Sequence, residues 1–506
     1  MRLADLLVLV LFLLGMAGMG IYFARRSRST EAYFLGERAF PGWAIGLSML
    51  GTSISSLTFL ALPAAAFILD YRQLTPNLMM PVVAVIAAIF FIPFFREIRI
   101  VSAYEYLEQR YGAAIRLYAA GSYVVLQSLR LATILYLVSI PVAEMLGLNL
   151  GLVVAVGGVV VVFYTATGGI EAVVWTDVVQ TIILLAGGIL CVVVIAWKLP
   201  GGVAEVIEVG AADHKFSLGP LSFGFGERTL PVLLLLGMVN FGTEYLGNQS
   251  VVQKYLAARS LREARKATLI CAGMSIPTWL AFFFVGTCLY VFYRIYPQRL
   301  PEGIAADAVL PHFILNELAP GIAGLVIAAC LAAAMSTLSA ILNSVSSILT
   351  VDFVKRFSRN YSDAFGLRRA RIFSYLIGVV MIAGALVIDR VPRESITDFT
   401  LILGSVLGGG MFAIFILGFL TRRVGNGALW WGMGCGLALN LYLLVNTLEL
   451  LPEAWRLPVH PYWTTVIVNV TIIVIALAAA LIRPNRKPLP QLTMWTRAAK
   501  EVTEDE

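Results

Sequence analysis

Apolar residues run along this chain in long blocks, and the polar residues between them come in short clusters. Thirteen stretches of roughly twenty mostly apolar residues stand out, at 4–24, 43–69, 74–95, 115–145, 150–168, 171–197, 229–248, 266–293, 320–351, 370–388, 396–420, 427–446 and 462–482. A helix that crosses a bilayer needs about 20 such residues, because its backbone polar groups must be satisfied within the segment where no water is available. The pattern therefore predicts an all-α integral membrane protein with 13 transmembrane helices. The apolar run from Leu3 to Phe23 is longer than the core of a signal peptide, and Ala24-Arg25-Arg26 follows it rather than a small-residue cleavage site. It reads as a retained helix.

Composition agrees with the pattern. Of 506 residues, 59% are hydrophobic and 13% charged, and the mean hydropathy is +0.86. The distribution of Lys and Arg sets the orientation. With the N-terminus outside and thirteen crossings, 26 of the 37 basic residues fall in cytoplasmic segments, among them the five of 254–266, and the C-terminus is inside. The net charge of +7 is thus a topology signal and points to no nucleic acid. The five cysteines all lie in apolar stretches and read as small core residues. The three histidines, His214, His312 and His460, fall in outer loops, so a His-centred catalytic or metal site has little to build on. An enzyme is not the expected reading.

Two spans carry polar patches at mid-depth. One is Gly51-Thr52-Ser53-Ile54-Ser55-Ser56-Leu57-Thr58, and the other, five spans later, is Gly237-Met238-Val239-Asn240-Phe241-Gly242-Thr243-Glu244. Both spans are expected to break there. Five is an odd number, so the second set of helices enters the membrane from the opposite side, which makes an inverted repeat with a midplane site between the halves. Neutral oxygens around 51–58 suit a hard cation. Ala333, Ser336, Thr337 and Ala340 recur on one helix face and could close such a site with Gly51 and Ile54, or could simply let helices pack closely. Asp177 early in its span is either functional or hydrated near the cytoplasmic end. Arg130, in mid-span, needs a carboxylate, and either Glu244 or an anionic solute could supply it.

The chain resembles the sodium:solute symporter family over nearly its whole length. The resemblance is carried by Tyr33-Phe34-Leu35-Gly36-Glu37-Arg38, Pro41-Gly42-Trp43, Ser55-Ser56-Leu57-Thr58-Phe59 and Ser102-Ala103-Tyr104-Glu105-Tyr106-Leu107-Glu108. Thr167-Gly168-Gly169-Ile170-Glu171, Trp175-Thr176-Asp177, Val252-Gln253-Lys254-Tyr255 and Leu342-Asn343-Ser344 complete it. It implies a five-plus-five inverted-repeat core of the leucine-transporter type, working by alternating access with sodium as the coupling ion and no other cofactor. The family's common sodium site would fall on Gly51, Ile54, Ala333, Ser336 and Thr337. A second sodium, held in some members, would fall on Asp177, Ser336 and Ser339, although position 340 is Ala where such members carry another serine. Among its branches the pattern is most similar to the one that transports sialic acid. That branch implies a solute site of Ser55, Thr58, Gln73, Asn77, Arg130, Phe241 and Glu244, with Arg130 as carboxylate clamp. Asn77 stands where that branch has Gln, Gln73 where it has an aromatic, and Glu244 where it has a neutral amide.

The expected organisation is an extra N-terminal transmembrane helix (1–28), a transporter core (39–425, with repeats 39–200 and 226–425), two C-terminal helices (426–484) and a cytoplasmic tail (485–506). The expected function is sodium-coupled import of a small polar solute, such as a sugar acid, across the cell (inner) membrane. A neutral sugar or a small carboxylate is the alternative solute, and a non-transporting sensor the alternative class. The expected partners are solute, sodium and lipid bilayer, with no obligate protein partner implied.

Overall fold

The computed structural model describes residues 3–26, 28–54, 56–98, 100–222, 229–390 and 408–496. Ser55, the first part of the 396–420 span and the end of the tail lie outside them. Among the described residues the chain is all helix, with one isolated bridge between Phe40 and Ala258.

The main helices are α1 (Leu3–Ala24), α2 (Gly42–Ser53), α3 (Ser56–Ile68), α4 (Tyr71–Glu97), α5 (Ala113–Leu146), α6 (Leu150–Lys198), α7 (Leu230–Gly247) and α8 (Gln249–Ala257). There follow α9 (Leu261–Ile295), α10 (Ile322–Phe357), α11 (Asp363–Ile388), α12 (Met411–Leu420), α13 (Asn426–Thr447) and α14 (Tyr462–Ile482). Among the described residues ten helices are long and apolar enough to cross a membrane, or eleven with the bent pair α2–α3 counted as one. Helix α6 has 49 residues, about 74 Å at ~1.5 Å per residue, against a hydrocarbon core of ~30 Å. It is two helices meeting at Gly169, whose φ of 60° and ψ of −152° leave the helical region. A Cβ there would stand 2.7 Å from the Tyr33 carbonyl oxygen, so glycine serves both the turn and the close approach.

Helix α10 is the axis of the molecule. Nearly every residue from Ala323 to Ile348 is buried, packed against α1, α2, α5, α6 and α11. Its entry is fixed by Asp5 of α1, whose Oδ1 accepts the backbone N–H groups of Gly321 (2.7 Å) and Gly324 (2.8 Å). A carboxylate at a helix N-terminus satisfies donors that have no intrahelical partner and complements the dipole.

The expected break in the first polar patch is present, since α2 ends at Ser53 and α3 starts at Ser56. The expected break at 237–244 is not. Helix α7 runs on to Gly247, and the chain turns at Asn248 before α8. The glycines of this patch serve packing rather than unwinding. A Cβ at Gly237 would overlap the Pro76 carbonyl, and one at Gly242 the Phe412 ring. Thr243 returns its hydroxyl to the Val239 carbonyl (2.8 Å) and so stays within the helix. At Asn248 the side chain accepts from the Ser250 N–H (3.1 Å) and starts α8 as its cap.

Four cysteines are buried as expected, whereas Cys435 is exposed. Lys254, counted in sequence among the cytoplasmic charges, is not a solvated loop residue. It lies in α8 and is only 1% exposed.

Candidate functional site

The broken helix α2 delivers backbone oxygens to one place. Its cap residue Ile54, at φ −100° and ψ 89°, donates to the Leu50 carbonyl and ends the helix, so the last carbonyls of α2 lie at a helix C-terminus. Two hydroxyls of α10 meet this end. Ser336 donates to the carbonyls of Gly51 (2.8 Å) and Ala333 (3.2 Å), and Thr337 to those of Thr52 (3.2 Å) and Ala333 (3.3 Å). Gly51, Ile54, Ala333, Ser336 and Thr337 are all buried. Apart from Ile54, for which burial at the helix end is what is seen, the bonds and the Ala333 carbonyl link the other four, and the Thr52 carbonyl joins them unforeseen. A Cβ at Gly51 would overlap the Thr181 hydroxyl of α6, so glycine lets the two helices approach here. Neutral oxygens in a dry pocket are ligands for a hard monovalent cation.

Asp177 is fully buried rather than hydrated. Its Oδ2 accepts from Ser48 Oγ (2.7 Å) and its Oδ1 from Ser339 Oγ (3.3 Å), while Ser339 also donates to the Ser336 carbonyl (3.1 Å). The structure thus brings Asp177, Ser336 and Ser339 together, and adds a cation of its own. Lys254 Nζ donates to Asp177 Oδ2 (2.8 Å), to the Ser48 carbonyl (2.9 Å) and to Thr52 Oγ1. Sequence reasoning missed Lys254. A signal was available in the apolar company of Val251-Val252-Gln253-Lys254-Tyr255-Leu256, where a lysine needs a carboxylate.

The segments that carried the family resemblance converge around these groups. Gln253 Nε2 donates to the Phe34 carbonyl (2.6 Å) and to Asn343 Oδ1 (2.7 Å). Tyr33 donates to the Ala166 carbonyl (3.0 Å), beside the Gly168-Gly169 turn. Tyr123 bonds Asn248 Oδ1 (3.0 Å) and Ser344 Oγ (2.9 Å), tying α5 and α10 to the turn between α7 and α8.

The solute candidates are more dispersed. Ser55 is outside the described residues. Thr58 is half-buried on α3, and Gln73 and Asn77 lie on the 3-10 start of α4, which packs against α7 where Pro76 meets Gly237. Phe241 sits 6.1 Å from the Trp279 ring, centroid to centroid. Glu244 accepts from Asn248 Nδ2 (2.9 Å) and lines a cavity of about 460 Å³ with Asn240, Thr243, Asn440, Thr465 and Asn469. Arg130 is exposed on α5, and among the described residues neither Glu244 nor any other carboxylate pairs with it. Among the described residues no hydrogen bond or ion pair links two side chains of the solute set. Nor do they hold any group of three or more His, Cys, Asp or Glu side chains fit to hold a metal ion.

A membrane helix broken against buried hydroxyls, with a charged pair sealed beside it, suits an ion-coupled secondary transporter. The chain belongs to the sodium:solute symporter family, whose model matches residues 33–436. It is 32% identical over 441 residues to the sodium/sialic acid symporter NanT of Aliivibrio fischeri, covering 87% of each chain. It is 33% identical over 423 residues to the sodium/sialic acid symporter SiaT of Proteus mirabilis, covering 83% of this chain and 85% of that one. The fold matches a sodium-coupled sialic acid symporter solved in a substrate-bound, outward-open state, with a TM-score of 0.89 and 29% identity over 96% of this chain and all of that one. The protein is therefore a multi-pass, sodium-coupled symporter of a small polar solute.

Proposed function

We propose that the protein imports an acidic sugar of the sialic acid type across the bacterial inner membrane, driven by sodium bound at Gly51, Ile54, Ala333, Ser336 and Thr337. The observation that carries this reading is the meeting of the Ser336 and Thr337 hydroxyls with the carbonyls of the broken helix α2. Sodium there bridges α2 and α10, which belong to different halves of the expected five-plus-five inverted repeat. Ion binding then biases the relative position of the halves, and solute binding is favoured in return, since such linkage is reciprocal.

Arg130 is the carboxylate clamp in this reading. Among the described residues no carboxylate pairs with it, which leaves its guanidinium open to a carboxylate of the solute, in the two-pronged geometry that arginine offers. Ser55, Thr58, Gln73, Asn77, Phe241 and Glu244 would complete the solute site. In this reading α6 makes two crossings and α12 one, for thirteen spans, and the distribution of Lys and Arg would put the N-terminus outside and the C-terminus inside.

Sodium-gradient-driven uptake into proteoliposomes tests the proposal, with labelled N-acetylneuraminic acid beside a neutral hexose and small carboxylates. Uptake of the sugar acid that disappears in Arg130→Ala supports the clamp. Uptake of the hexose alone, indifferent to Arg130→Ala, refutes the acidic-solute reading and leaves the symporter. Binding of sodium and solute with no flux would mean a sensor instead.

A further inference from the structure

Lys254 is the one basic residue of 254–266 counted as cytoplasmic that the fold pulls into mid-bundle beside Asp177. Its ammonium has three protons, and the structure supplies three acceptors: a carboxylate oxygen of Asp177, the Ser48 carbonyl and the Thr52 hydroxyl. Both charges are sealed from solvent, Lys254 at 1% and Asp177 at 0% exposure. The acceptors are a carboxylate, a carbonyl and a hydroxyl, the oxygen types that bind an alkali cation. This ammonium is also adjacent to the sodium pocket. Thr52 offers its hydroxyl to Lys254 and its carbonyl to Thr337, so one residue of α2 serves both positions.

We propose that the Lys254 ammonium is a built-in cation that holds the second cation position, so that the transporter binds a single sodium ion, at the Gly51–Thr337 pocket. The inference rests on that pocket being the sodium site. A free ion on Asp177, whether on Oδ1 beside Ser339 or on Oδ2, would have to share the one carboxylate with the ammonium already bound to it, and like charges in a dry interior repel strongly. Removing the ammonium reverses the balance. Asp177 would then face Ser48 Oγ, Ser339 Oγ and the Ser336 carbonyl as an uncompensated anion among oxygen ligands, a site for a monovalent alkali ion. Lys254 is thus a specificity-determining residue for ion stoichiometry. Among the described residues it makes no hydrogen bond or ion pair with a solute candidate, and its covalent tether keeps the second charge in the protein throughout the cycle.

Equilibrium binding of radioactive sodium to the purified full-length protein, counted per protein molecule, decides the matter without needing the solute. The expected count is one in the wild type and two in Lys254→Met, which keeps the length of the side chain and drops the charge. A count of two in the wild type, or of one in folded Lys254→Met, overturns the proposal. Should Lys254→Met fail to fold, the double variant Lys254→Met/Asp177→Asn removes both charges together. It is expected to bind one ion, and a count of two overturns the proposal. A wild-type count of zero has a different meaning, since it removes the sodium pocket itself and the stoichiometry argument with it.

Discussion

Thr337→Val is the sharpest probe of the sodium pocket, because valine keeps the volume and branching of threonine and removes only the hydroxyl. That hydroxyl has a single proton, shared between the Thr52 carbonyl at 3.2 Å and the Ala333 carbonyl at 3.3 Å. Both distances are at the long end, so without an ion the bond contributes about 0.5–1 kcal/mol. With sodium in the pocket the same oxygen turns a lone pair on a full charge. Taking a charged hydrogen bond as the scale, that contact is worth about 1.5–3 kcal/mol. The difference, about 1–2 kcal/mol, falls on ion binding and corresponds to a roughly 5–30-fold rise in half-saturating sodium. Solute affinity at saturating sodium is expected to stay as it was, while at low sodium it falls in proportion, by linkage. Sodium activation of solute uptake in proteoliposomes measures both. Thr337→Ser, which restores the hydroxyl, is expected to restore the curve. Half-saturating sodium within about twofold of wild type in Thr337→Val would falsify the assignment, as would a defect that Thr337→Ser leaves unrepaired.

Two further predictions follow from the packing around the pocket. Gly51→Ala places a methyl group on the Thr181 hydroxyl, which itself donates to the Leu47 carbonyl at 3.1 Å, and overpacking of this kind costs about 1–3 kcal/mol. The expected result is weaker sodium activation that Thr181→Ala in the same chain relieves; additive losses in the double variant would refute the collision. Asp5→Ala takes the acceptor from two N–H groups at the start of α10 and is expected to cost about 1–2 kcal/mol of stability. A lower melting temperature in detergent with unchanged half-saturating sodium is the expected outcome, and an unchanged melting temperature would count against the anchor.

Hydrophobic blocks left little freedom in the class of this protein. Helices must satisfy their own backbone in lipid, so twenty apolar residues without charge imply a crossing wherever they occur. Gly51, Ala333, Ser336 and Thr337 were legible as a candidate pocket for a related reason. Two adjacent hydroxyls one helical turn after a small residue in a mostly apolar helix, and a polar patch that interrupts another span, are local properties of sequence. The second polar patch misled for the converse reason. A glycine that unwinds a helix and a glycine that admits a neighbour look alike in sequence, and only the positions of Pro76 and Phe412 show that Gly237 and Gly242 admit neighbours.

What the sequence by itself determined, then, was the membrane class and the family, together with the residue types that could make a neutral-oxygen pocket, all of which rest on residue type and on the order and spacing of local motifs. What only the tertiary structure decided were the pairings between helices far apart in the chain. Asp5 caps α10 across more than three hundred residues, Glu244 turns to Asn248 instead of Arg130, and Lys254 leaves the count of cytoplasmic charges to meet Asp177. A charge written in a sequence carries its sign but not its partner. The partner is set by which helices the fold lays side by side, and a buried ammonium is costly unless that packing supplies acceptors for it, as Asp177 does for Lys254.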